Sequence, residues 1–257
     1  MILLASFGMA TAQEGGFLGA LSDAIGDAAP GTDKNSELSG RILQFIAFAT
    51  VLSIAPGLLV VMTSFTRFVI VLSMLRSALG LNQTPPNIVL TSLALFMTFF
   101  VMQPVFKDAY EGGVVPLLNN TLVEEQAIQR IADPFRAFMF VNTRPRDYAL
   151  FLDISEDSEA TDAPPLPTSP EEASFHHLVP AFMISELRRA FTIGFLIYLP
   201  FVAIDLIVAS VLMSAGMMML PPVMISLPFK VIFFVLIDGW YMLAGSLIES
   251  YVPLVGG

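Results

Sequence analysis

From Phe191 to Ile248 the chain is almost wholly apolar, yet Asp205, Lys230 and Asp238 stand inside this stretch. Midway comes Met217-Met218-Met219, followed at once by Leu220-Pro221-Pro222. Proline cannot continue a helix that precedes it, so the stretch reads as two apolar helical arms folded about a Met-rich tip. Arms of this length match the roughly 20 apolar residues that a membrane-crossing helix needs. Ionisable groups at membrane depth are costly; they face protein or a water path and point to function.

Composition bears on the same question. Apolar residues make up 55% and charged residues 13% of 257, with a mean hydropathy of +0.75. A soluble domain carries about 25% charged residues, so this chain needs lipid or protein against most of its faces. Cysteine is absent, which excludes disulfides and thiolate metal sites. A net charge of −10 argues against nucleic-acid binding, which needs a basic surface.

The placement of charge suggests a topology. Residues 107–185 carry 13 acidic and 5 basic side chains, whereas residues 64–86 carry Arg67 and Arg76 and no acid. Positive connections stay in the cytoplasm. The 64–86 segment is therefore expected inside, with Arg67 and Arg76 as topology anchors, and the acidic middle region outside. At the amino terminus, a short apolar run ends in Ala10-Thr11-Ala12, a cleavage pattern of the A-x-A kind without the usual basic leader. Residues 1–12 are expected to be a truncated signal peptide, and the Gly-, Asp- and Ser-rich residues 13–40 a mobile tail.

Four long apolar segments are expected to be helical: Ile42–Thr66, Ser77–Phe106 (its helix proper starting at Asn87), Ala190–Leu220 with an interruption at Pro200, and Val223–Ile248. The first two form an apolar pair over residues 41–106. A short helix, Phe68–Leu75, lies between Arg67 and Arg76. Prolines and buried charge in these segments call for protein partners that satisfy what lipid cannot. Within 107–152, Leu122–Phe138 reads as a helix through Ile128, Ile131, Ala132 and Phe135. A second packed pair is expected around Arg144 and Arg146. Residues 153–174, acidic and proline-rich, read as a disordered linker, and residues 175–257 as a second apolar hairpin. The fold class is all-α.

Catalytic signals are missing. His176-His177 has no second ligand cluster with which to build a metal site, and reads as the polar start of a helix running to Pro180. There is no phosphate-binding Gly-rich loop and no G-x-S-x-G elbow. Neither an enzyme nor a cofactor is expected.

Two runs are more telling: MTSFTRFVIVLSMLRSALGLNQTPPN, and PAFMISELRRAFTIGFLIYLPFVAIDLIVASVLMSAGMMMLPPVMISLPFKVIFFVLIDGW. In this order they resemble the FliP family of flagellar export-gate proteins, whose counterparts are the R-type proteins of injectisome type III secretion. The resemblance extends from about Pro56 to Val252. It implies a pentameric ring in the bacterial inner membrane, within the flagellar basal body, with the acidic middle region periplasmic. The implied partners are FliQ and FliR, then FlhA and FlhB. Together they would form an entry gate for unfolded flagellar subunits. A gated ion channel or solute transporter is the alternative, since it too places charges and broken helices along a pathway.

The resemblance also implies site roles. Met217, Met218 and Met219 match a gasket around the passing chain, a task suited to flexible, polarisable methionine. Arg144 and Lys230 are expected to pair with acids such as Glu186 and Asp205 across the ring interface, because a lone buried charge is costly. Asp238 is expected to be a further buried charge, while Arg188 and Arg189 suit helix-end snorkelling. Three departures stand out: the amino-terminal leader without basic residues, the acidic 153–174 insert, and Pro145 where a helix-favouring residue is expected beside Arg144.

Overall fold

A computed structural model describes residues 60–81, 83–119, 121–155, 166–217 and 220–251, together with positions 46, 49, 50, 53, 57 and 58. The chain divides into two units, residues 1–57 and 58–257. In the first, the described positions are helical. The expected signal peptide and tail lie outside the described residues.

The regular elements among the described residues of the second unit are all helical, with no strand among them. Its elements are α1 (Phe65–Ala78), α2 (Asn87–Ala109), a π-bulge (Tyr110–Val114), α3 (Val115–Leu118), α4 (Glu124–Asn142), α5 (Pro145–Ser155), a short 3₁₀ turn (Pro170–Glu172), α6 (Phe175–Ser214), α7 (Pro222–Leu236) and α8 (Gly239–Glu249).

Helix α1 is the centre of the packing. Phe68, Val71, Leu72 and Leu75 follow the helical repeat and are at most 1% exposed. The short helix read between two arginines is thus a core element, extended by three residues at each end. It lies mainly against α6, and Gly194 makes the close approach possible. A Cβ there would stand 2.3 Å from the Met74 sulfur.

Helix α6 has 40 residues, about 60 Å at 1.5 Å per residue. It passes through Pro180 and Pro200 without a break, against the expected interruption. Proline removes one N–H, but in apolar helices local adjustment re-satisfies the freed carbonyl. The two halves of α6 differ. Leu178, Ala181, Phe182 and Glu186 are buried, whereas Phe195, Leu196, Leu206 and Ile207 are all about 60% exposed. Helix α7 begins at Pro222, after the Met-rich tip. The expected fourth segment breaks within itself: α7 and α8 meet at 63°, with Asp238 in the left-handed region at φ 51°. The Asp238-Gly239 dipeptide is a turn signal, and Gly239 lies under the Phe234 ring with no room for a Cβ. By length and composition two helices suffice to cross a membrane, Asn87–Leu118 and Phe175–Ser214, or three if the bent pair is one span.

The middle region packs on this frame. In α4 the buried side chains are Ala127, Phe138, Met139 and Asn142, while Ile128, expected on the apolar face, is exposed. Pro145 occupies the first position of α5, where its missing N–H is no loss. In the expected linker, residues 153–155 belong to α5, and Thr168 donates both its N–H and its hydroxyl to Glu172. Residues 156–165 lie outside the described residues.

The π-bulge brings a test. A Cβ on Gly113 would meet the Ile131 side chain at 2.4 Å and the Ala127 carbonyl at 3.0 Å, whereas one on Gly112 would meet nothing within 4 Å. Gly113→Ala should lower stability by about 1–3 kcal/mol, the range for overpacking, and Gly112→Ala should leave it unchanged. Unfolding followed by circular dichroism in detergent checks both.

Candidate functional site

Two charge clusters lie inside this helical unit. In the first, the Arg67 Nε donates to a Glu186 oxygen at 2.8 Å and a terminal nitrogen donates to the other oxygen, forming a two-pronged ion pair. Its remaining nitrogen donates to Ser250 Oγ at 2.8 Å. The Tyr251 hydroxyl also donates to Glu186, and its ring stands 3.6 Å from the guanidinium carbon. Both charged side chains are at most 1% exposed. Phe68, Phe138 and Phe182 close the surroundings, Phe138 stacked on Tyr251 at 5.9 Å. The cluster therefore joins α1, α6 and the turn after α8, with α4 packed beside it.

The second cluster pins the hairpin. Lys230 Nζ donates to Asp205 at 2.6 Å, and Ser226, one turn earlier on α7, donates to the other Asp205 oxygen. Lys230 also reaches the Ala78 carbonyl at 3.2 Å, the last residue of α1. The final carbonyls of a helix lack intrahelical donors and attract a cation. One ammonium thus ties α6, α7 and the end of α1.

The expected charge partners are rearranged. Lys230 pairs with Asp205, but inside one chain. Glu186 pairs with Arg67 and not with Arg144, whose backbone N–H instead donates to Ser185 Oγ at 3.0 Å. Ser185 in turn donates to the buried Asp147 at 2.7 Å. Arg67, read as an anchor at a helix flank, is buried because it lies on the same stripe of α1 as Val71, Leu75 and Ala78. Arg76 remains half-buried and holds the Pro85 carbonyl and Asn87 at the start of α2. Asp238, expected to be buried, is exposed at the α7–α8 bend. Helix period could have exposed the buried charges. Leu178, Phe182, Glu186 and Ala190 recur at four-residue steps, as do Ser226, Lys230 and Phe234, and all are buried. Tyr251 and Ser250 carry no comparable signal, since they follow the last helix.

At the hairpin tip, Gly216 takes φ 72°, which a glycine adopts without strain. The N–H of Gly216 reaches the Met213 carbonyl, and that of Met217 reaches the Leu212 carbonyl, closing α6 with a Schellman cap. Met217 is half exposed; Met218 and Met219 lie outside the described residues. Among the described residues no group of three or more His, Asp or Glu side chains is placed to hold a metal.

Both runs that carry the clusters fall inside a match to the FliP family over residues 48–247. The chain belongs to the FliP family. Flagellar biosynthetic protein FliP of Agrobacterium fabrum is 53% identical over 221 residues, covering 84% of this chain and 88% of that protein. The protein of the same name in Rhizobium meliloti is 52% identical over 221 residues, 86% and 88% of the two chains. That of Bacillus subtilis is 47% identical over 209 residues, 81% of this chain and 91% of its own. Membership of the FliP family makes the chain a structural component and not an enzyme.

Removing one partner of a buried pair strands the other charge, at a cost of about 3–5 kcal/mol. Arg67→Met or Glu186→Met should each lower stability by that order. The double replacement should cost clearly less than the two together, as read from a double-mutant cycle of unfolding in detergent.

Proposed function

We propose that the chain is a core subunit of the flagellar type III protein export gate. Several copies, five by family resemblance, would line the pore through which unfolded flagellar subunits cross the inner membrane. FliQ and FliR complete the assembly, FlhA and FlhB adjoin it in the basal body, and the acidic middle region faces the periplasm. The observation that carries this reading is the exposed apolar surface of the hairpin. Phe195, Leu196, Leu206, Ile207, Met224 and Leu236 all stand out from a single chain. A monomeric soluble protein rarely leaves so continuous an apolar surface uncovered. Lipid covers one side of such an arm, and sister copies the other.

In this arrangement Met217, Met218 and Met219, which follow the cap of α6 in sequence, would line the shared axis. Unbranched thioether side chains repack around any passing sequence, so a ring of them holds back ions without selecting cargo. The two charge clusters keep the arms at a fixed spacing while the tips adjust.

Replacing Met217, Met218 and Met219 by alanine should raise ion leak several-fold in secreting cells while the complex still assembles. Conductance measured alongside the amount of assembled complex tests this; an unchanged leak at normal assembly removes the sealing role.

A further inference from the structure

A pocket of about 350 Å³ is lined by Arg67, Arg144, Arg188 and Arg189, with Thr192 and Ser250. It contains no acid. Arg67 is neutralised by Glu186, but among the described residues no acid lies within ion-pairing reach of the other three arginines. Among the described residues Arg189 donates to Asn142 Oδ1 at 3.3 Å. The fold gathers these cations deliberately close. Arg144 is fixed through its backbone N–H to Ser185, and Arg188 and Arg189 stand three and four residues further along α6, on the same face. Among the described residues the neighbouring acid, Asp147, is engaged by Ser185 and forms no ion pair with these arginines, so the pocket is suited to an anion from elsewhere.

The neighbouring surface says what carries that anion. Phe191, Phe195 and Leu199 lie three, seven and eleven residues beyond Arg188, one above another on the helix, and are 57%, 59% and 47% exposed. The apolar stretch from Ala190 to Ser214, whose one charged residue, Asp205, is paired with Lys230, is about 37 Å long at 1.5 Å per residue, enough for a hydrocarbon core of about 30 Å. The arginines therefore stand at the rim of that core, at the depth of lipid phosphates. We propose that this pocket binds the phosphate of an anionic phospholipid, whose acyl chains lie along Phe191, Phe195 and Leu199. Planar guanidinium groups match phosphate oxygens two at a time, and a lipid bound there would brace α5 against α6.

The test uses the full chain purified in nonionic detergent and read by native mass spectrometry. The probes are dioleoylphosphatidylglycerol, dioleoylphosphatidylcholine and inorganic phosphate. Phosphatidylglycerol should be retained in preference to phosphatidylcholine. Arg144→Gln and Arg188→Gln should each weaken its retention about five-fold, the effect of one basic residue near an anionic surface. Arg146→Gln, at an exposed arginine outside the pocket, should not. Helical circular dichroism confirms that the variants fold. Equal retention of both lipids, or equal loss in Arg146→Gln, overturns the proposal. So does binding of inorganic phosphate alone, or a change of copy number in Arg144→Gln and Arg188→Gln with lipid retention intact, which would assign the pocket to an acid of a second copy.

Discussion

The Arg67–Glu186 pair, sealed under Tyr251, is the interaction on which the rest of the unit depends. It joins residues 119 apart in sequence, and with Ser250 it draws in the turn after the last helix. Two desolvated charges do not make a fold stable by themselves; hydrophobic replacement of such pairs is often neutral or better. What they supply is geometry. Apolar helices slide against one another at little cost, because any register buries similar surface. A guanidinium fork that must meet one carboxylate permits one register only.

The Asp205–Lys230 pair does the same for the hairpin. It lies between α6 and α7 with its ammonium on the last carbonyl of α1, so one charge fixes both arms to the core helix. Beyond it many apolar side chains of the arms, among them Leu206, Ile207, Val211, Val223 and Met224, stand exposed. A rigid, charge-locked root under greasy, uncovered arms is a subunit shaped for lipid and for other subunits. Membership of the FliP family accords with a part of this kind, since its task lies in assembly and not in bond-making.

Much of this could be read before the structure. The all-α class and the apolar hairpin followed from composition and hydropathy, and the tip from Met217-Met218-Met219 and the two prolines after them. Pro200 misled, because proline breaks helices in water more surely than in apolar surroundings. The break at Asp238-Gly239 was visible as a turn dipeptide, but the apolar residues on both sides hid it. Partner choice was the deeper miss. Arg67 sits among apolar residues at helical spacing, which marks it as buried, yet sequence spacing says nothing about which acid it meets. Long-range pairing depends on how α1 lies against α6, and that depends on small details such as the space Gly194 leaves for Met74.

The central claim is that the uncovered arms are closed over by copies of the same chain around a common axis. Mass measurement of the purified protein in lipid nanodiscs tests it most directly. The account predicts a discrete particle containing several copies, alone or with its smaller partners. A stable single copy, its hairpin arms wholly surrounded by lipid, would contradict it.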